Sequence, residues 1–179
     1  MIDTKRIKQK ICLVGEGAVG KTSLIRRFVF EEFNDSYIST IGTKITKKEL
    51  ALKHPVNNED INVSMLIWDI MGQKGFRQLL KEAYFFGAQG LIAVCDITKK
   101  DSLKELDGWV ETAFSVTGKI PVVLLANKYD LKDKANFTLD EFKNYASRYE
   151  NSMTFPSSAK TGENVKEIFE KLGLELIKE

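Results

Sequence analysis

The sequence predicts an α/β protein built on a mainly parallel β-sheet. Short apolar runs bounded by turn residues alternate with stretches of helical period, the pattern of parallel strands joined by crossover helices. The 179 residues are 43% hydrophobic and 29% charged, the composition of a chain that buries about 70% of its unfolded surface on folding. At roughly 100 to 200 residues per domain, residues 1–179 are expected to form one domain.

Six strands are expected, at Gln9 to Val14, Thr43 to Lys53, Ile61 to Asp69, Gly90 to Asp96, Pro121 to Asn127 and Ser152 to Ser157. The second and third are joined by His54 to Asp60, a Pro- and Asn-rich link too short for a crossover helix. These two should therefore pair as an antiparallel hairpin. Ser102 with Glu105, and Thr138 with Glu141, stand three apart at the start of helical patterns and are expected to form capping boxes. Val165, Ile168, Phe169, Leu172 and Leu176 share one face of a C-terminal helix that packs on the sheet.

Composition excludes several classes of function. The 27 Lys and Arg against 25 Asp and Glu leave a net charge of +2, too little for the broad positive field of a nucleic-acid-binding protein. Cys12 and Cys95 both sit in apolar runs, as buried, reduced thiols of a cytoplasmic protein do. The longest apolar stretches fall far short of the ~18 residues of a membrane span, and the N-terminus lacks the apolar region of a signal peptide. His54 is the sole histidine and lies in a turn, where a solvated loop residue is expected and a metal or catalytic role is not.

The chemistry begins after the first strand. Gly15-Glu16-Gly17-Ala18-Val19-Gly20-Lys21-Thr22 has the spacing G-x-x-x-x-G-K-S/T, and Ser23 onward reads as a helix. The glycines let the loop curl so that backbone N–H groups converge on phosphate oxygens, and the helix start adds its positive dipole end. Lys21 can reach the β- and γ-phosphates, and the Thr22 hydroxyl is a hard ligand suited to Mg²⁺. Asp69, at the end of the third strand, is placed to orient Mg²⁺ through a water, Gly72 to bring its N–H to a γ-phosphate, and Gln73 to hold an attacking water. Thr40, in the polar segment from Glu31 to Gly42, can place its hydroxyl on Mg²⁺. The metal set is therefore Thr22, Thr40 and Asp69, with Lys21, Thr40 and Gln73 as catalytic residues. Phe33 and Tyr37 are expected to act as lids over phosphate and base.

The base is read elsewhere. Asn127-Lys128-Tyr129-Asp130 follows the fifth strand and Ser158-Ala159-Lys160 the sixth, both at the same sheet edge. An aspartate carboxylate accepts two hydrogen bonds, which matches the N1–H and 2-amino group of guanine and mismatches adenine. Asp130 thus selects guanine, with Asn127 bonding the base and bracing neighbouring loops. The Lys128 stem can lie on the ring, the Ala159 N–H can reach the 6-oxygen, and Lys160 can stack nearby.

Together these segments resemble the Ras superfamily of small GTPases along nearly the whole chain, and Tyr84 to Thr98 is most similar to the Rab branch. The resemblance implies a phosphate-loop NTPase G domain with a six-stranded sheet and about five helices. It further implies a monomeric switch between GTP and GDP with Mg²⁺, which meets an exchange factor, a GTPase-activating protein and effectors through segments 31–45 and 70–84. Slow hydrolysis of GTP, in Rab-like vesicle trafficking or signalling, is the activity it implies. Ile70-Met71, Lys74-Gly75 and Gly42 to Ile45 depart from the Rab pattern, and the sequence ends at Glu179 with no terminal cysteine for a prenyl anchor. Two rival readings are a GTP-holding scaffold with negligible hydrolysis and a phosphate-loop kinase. The kinase leaves Asp69 to Gln73 and Asn127 to Asp130 without a task.

Overall fold

The computed structural model describes residues 5–36 and 39–178. Its sheet has six strands, β1 (Lys5–Val14), β2 (Thr43–Lys53), β3 (Asp60–Ile70), β4 (Gly90–Asp96), β5 (Val122–Asn127) and β6 (Met153–Pro156). They lie in the order β2-β3-β1-β4-β5-β6. Every pairing is parallel except β2 with β3, whose register runs from Thr43 opposite Ile70 to Lys53 opposite Asp60. The expected hairpin is therefore present, and the His54 imidazole braces its turn by accepting from the Val56 N–H at 3.2 Å.

Strand composition follows from cover. β4 and β5 are buried along their whole length, so they read as continuous apolar runs. β3 instead alternates, with Ile61, Val63, Met65 and Ile67 buried between more exposed neighbours, because only one of its faces is covered. β3 extends through the buried Ile70, which accounts for the apolar residue at this departure from the Rab pattern.

Among the described residues the sheet is flanked by seven α-helices: α1 (Lys21–Phe30), α2 (Lys74–Arg77), α3 (Lys81–Phe85), α4 (Lys100–Lys104), α5 (Leu106–Thr117), α6 (Leu139–Ala146) and α7 (Val165–Glu175). The expectation of about five is reconciled by two interruptions. α4 and α5 meet at Glu105, whose backbone stays right-handed at φ −75° and ψ −12°, and α2 and α3 are two short pieces of one region. A 3₁₀ turn, Tyr129–Lys134, was not anticipated.

α1 and α7 cover one face of the sheet, with the rings of Phe28 and Phe169 stacked 4.1 Å apart. Tyr84 and Phe85 of α3, Trp109 of α5 and Phe142 of α6 build the core on the other face. Thr138 and Glu141 form the expected capping box. Ser102 and Glu105 do not. Ser102 lies inside α4, buried, with its hydroxyl donating to the Lys99 carbonyl at 2.6 Å and accepting from the Asp96 N–H at 2.9 Å. The polar end of β4 thus takes the hydroxyl that the spacing offers to a cap.

Cys12 and Cys95 are free and buried, and burial pushes both thiols well above their ordinary range, Cys12 to about 12. Among the described residues, no helix is long and apolar enough to cross a membrane.

Candidate functional site

The strand order reverses at β1, and ligands of such sheets bind beyond the carboxyl ends of the strands at that point. A cavity of about 520 Å³ opens there, within the range of small-molecule sites.

One end of the cavity is the phosphate loop. Gly15 sits at φ 142° and Gly20 at φ 103°, and a Cβ at either would collide, with the Val94 carbonyl and the Asn127 amide respectively. Glycine is thus required twice over, by conformation and by space. Gly20 begins α1 with no side-chain cap, and no acid stands in the first turn. The first N–H groups of α1 therefore face the cavity beside Gly17, Ala18, Gly20, Lys21, Thr22 and Ser23, which line it. This is the polarity an anion needs.

Lys21 is buried, and its ammonium donates to the carbonyls of Gly15 at 2.8 Å and Glu16 at 2.7 Å. Burial lowers its pKa to about 8, against the opposing pull of Asp69 and Glu16. A buried cation bonded only to neutral carbonyls lacks the counter-charge that a phosphate would bring.

Beside it three oxygen donors converge. The Thr22 hydroxyl donates to Asp69 Oδ2 and lies 2.9 Å from the Thr40 hydroxyl. Asp69 is 2% exposed, and among the described residues its second oxygen has no hydrogen-bond partner. Burial raises this carboxyl above its ordinary range, although hydrogen bonds from Thr22 and Thr40 and the charge of Lys21 oppose the shift. A buried carboxylate with an unpartnered oxygen, next to the paired Thr22 and Thr40 hydroxyls, fits a hard divalent cation such as Mg²⁺, which prefers oxygen and completes its shell with water and phosphate.

Gly72 packs on the phosphate loop so closely that a Cβ would strike the backbone of Glu16 and Gly17. Met71, buried, donates its N–H to the Gly42 carbonyl at 3.1 Å and so ties the two expected partner segments together. Gln73 lines the cavity. Its side chain is exposed and, among the described residues, makes no hydrogen bond.

At the other end, Asp130, Lys128, Ala159 and Lys160 line the cavity with Asn127. Asp130 Oδ1 accepts from the Ser158 hydroxyl at 2.6 Å, which fixes the carboxylate. Asn127 acts as a brace, donating to the Val19 carbonyl at 2.9 Å and accepting from the Ser157 hydroxyl at 3.1 Å. It holds the phosphate loop to the loop after β6. Phe33 also lines the cavity. Gly15, Val19, Asp69 and Ser158 stand behind the lining as supports, and Tyr37 lies outside the described residues.

Several supports were missed in the sequence. Asp96, 1% exposed, takes the Lys128 ammonium at 2.8 Å, and that ammonium also donates to the Ala18 carbonyl at 2.7 Å. Asp96 ends an apolar strand at the ligand edge just as Asp69 does, and that signal could have found it. Arg27 of α1 donates to the carbonyls of Ala159 at 2.7 Å and Lys160 at 2.6 Å, fastening the last loop to the helix. Nothing local in the sequence announces a contact across 132 residues. Arg26, ion-paired with Glu32 at 3.1 Å, joins the rim.

The phosphate loop, the hydroxyl and carboxylate cluster, and the Asn127 to Asp130 loop thus meet at one cavity, in the chain order of a G domain. The model of the Ras family matches residues 10–178, and the chain belongs to that family of small GTPases.

Proposed function

We propose that this protein binds Mg-GTP in the cavity beyond β1, hydrolyses it slowly to GDP and phosphate, and switches its partner-binding segments with the nucleotide. The observation that carries the reading is the convergence of Lys21, the Thr22–Thr40–Asp69 cluster and Gly72 at one end of a cavity whose other end holds Asp130.

The phosphate loop amides and Lys21 take the β- and γ-phosphates, and the Lys21 ammonium exchanges carbonyl partners for charged oxygens. Mg²⁺, held by Thr22 and Thr40 with Asp69 behind them, would neutralise charge on the phosphates. Gln73 orients the attacking water in line with the γ-phosphate, while Gly72 offers its N–H to the same group. Catalysis of this kind is positioning and charge stabilisation. No arginine lies between Glu31 and Gly42, so turnover without an activating protein is expected on the order of 10⁻⁴ s⁻¹.

Asp130 accepts from the guanine N1–H and 2-amino group. Adenine would leave that carboxylate unsatisfied, which supports discrimination of about 10⁴. Thr40 and Gly72 contact the γ-phosphate only in the triphosphate state, so segments 31–45 and 70–84 change together and form the surface for exchange factor, activating protein and effectors. The stretch Tyr84 to Thr98 supports a Rab-like role in vesicle trafficking or signalling.

The exposed, unbonded side chain of Gln73 favours one second reading, a GTP-dependent scaffold with negligible hydrolysis. Single-turnover phosphate release with Mg²⁺ separates the two. In the wild type it should be measurable, and Gln73→Leu should slow it at least about tenfold with GTP affinity nearly intact. Equal rates would remove Gln73 from the mechanism, and no release from the wild type would leave the scaffold.

A further inference from the structure

The segment that carries Gln73 is weakly anchored. α2 has four residues, none of them buried as a whole, and Gly75 has open space where a Cβ would be, so side-chain bulk does not restrain the backbone next to Gln73. At its far end the Arg77 guanidinium lies 5.3 Å from the Trp109 ring, and Gln78 donates to the Thr112 hydroxyl at 3.1 Å. Next to Gln73 the side-chain tether is Lys74. Its ammonium bridges Glu16 at 3.2 Å and Glu105 at 2.8 Å.

The two carboxylates stand on different bodies. Glu16 belongs to the phosphate loop, and Glu105 joins α4 to α5. Hydrogen bonding to Glu105 and then to Glu16, with the charges of both carboxylates added, raises the Lys74 pKa above its ordinary value, so the ammonium stays charged throughout the neutral range. Immediately before Gln73, Gly72 abuts the backbone of the same Glu16. The Gln73 residue is therefore flanked on one side by a backbone contact to the phosphate loop and on the other by an ion pair to it.

We infer that Lys74 is a positioning residue, whose bridge to Glu16 and Glu105 holds Gln73 at the phosphate end of the cavity and so sets the hydrolysis rate. The inference rests on the GTPase reading above. Because all three side chains are between about a quarter and a half exposed, the bridge is open to screening by salt. Hydrolysis should therefore fall as ionic strength rises, through Lys74.

The test is single-turnover hydrolysis at low and high salt, with GTP and GDP affinities measured alongside, for wild type, Lys74→Met, Lys74→Arg, Lys74→Glu and the charge swap Lys74→Glu/Glu105→Lys. Lys74→Met should lower the rate about three- to fivefold with affinities within about twofold, and abolish the salt dependence. Lys74→Arg should keep most of the wild-type rate, and the swap should recover part of what Lys74→Glu alone loses. A Lys74→Met protein that hydrolyses like the wild type, or that loses affinity in proportion to rate, overturns the inference, as does a swap without recovery. Amide exchange over residues 73–77 in the GTP-bound protein keeps the two proposals apart. If the wild type shows no turnover, faster exchange in Lys74→Met still supports the holding role, and unchanged exchange rejects it.

Discussion

Replacing Lys128 by methionine keeps most of the side-chain volume and removes the cation that Asp96 faces. Asp96 is 1% exposed. One of its oxygens accepts from the Thr98 N–H at 2.9 Å and hydroxyl at 2.7 Å, and the other meets Lys128 at 2.8 Å. Stripping a buried ion of its partner costs about 3–5 kcal/mol. The Lys128 side chain is 32% exposed, so water already screens part of the pair, and a loss of about 2–3 kcal/mol is expected. In a chain of this length that lowers Tm by about 5–10 °C. Burial alone would raise the Asp96 pKa, but the hydrogen bonds from Lys128 and Thr98 outweigh it and hold the carboxyl below its ordinary range. A depressed carboxyl contributes stability above its unfolded pKa of about 3.9 and loses it as pH falls through the folded value. The deficit of Lys128→Met should consequently be full at pH near 7 and shrink as both proteins take up a proton on Asp96 below pH ~4. Urea unfolding of wild type, Lys128→Met, Asp96→Asn and the double variant, at neutral and acid pH, measures both effects. A neutral-pH loss under about 0.5 kcal/mol, or a loss that does not shrink in acid, would refute the reasoning.

Asp130→Asn should turn a double acceptor into a donor and acceptor, weakening GTP by at least about a hundredfold while leaving inorganic phosphate interactions alone; unchanged guanine preference in competition binding would contradict the assignment. Lys21 gives a pH dependence. Its free-state pKa of about 8 is depressed by burial and should rise when phosphate supplies counter-charge, so binding takes up a proton above pH 8. GTP affinity measured by calorimetry should be flat from pH ~6.5 to ~7.5 and fall by up to about tenfold per unit above pH 8. The unliganded protein, whose folded Lys21 binds fewer protons than the unfolded chain between pH ~8 and ~10.5, should gain stability across that window from this group. Affinity that does not change up to pH ~9.5 would contradict the charge logic of the phosphate end. Gly20→Ala should cost both stability and affinity, because its methyl would meet the Asn127 amide at a positive φ; near-normal binding in a well-folded variant would show that Asn127 is not the brace.

Much of the fold was legible because its strands differ in kind. The fully covered β4 and β5 read as unbroken apolar runs, and the His54 to Asp60 link is too short to cross the sheet, which forced the antiparallel pair. The helices were less legible where tertiary contacts override local signals. Ser102 has the spacing of a cap, yet its hydroxyl serves the buried end of β4. At the site, residues facing the cavity could be found because a motif carries them in sequence order. Several of those that hold them could not. Arg27, Ser157 and Lys74 act through carbonyls or carboxylates far away in the chain, and no local pattern encodes such partners. Asn127 lies between these cases, expected both to bond the base and to brace neighbouring loops, and its bonds to Val19 and Ser157 show the brace.

The most direct test of the whole account is displacement of a fluorescent guanine nucleotide from the purified protein by GTP, GDP and ATP, with Mg²⁺ and with chelator. The account predicts displacement by GTP and GDP, weaker retention after chelation, and an ATP affinity lower by about 10⁴. Equal displacement by ATP, or no guanine nucleotide binding in the presence of Mg²⁺, would contradict it.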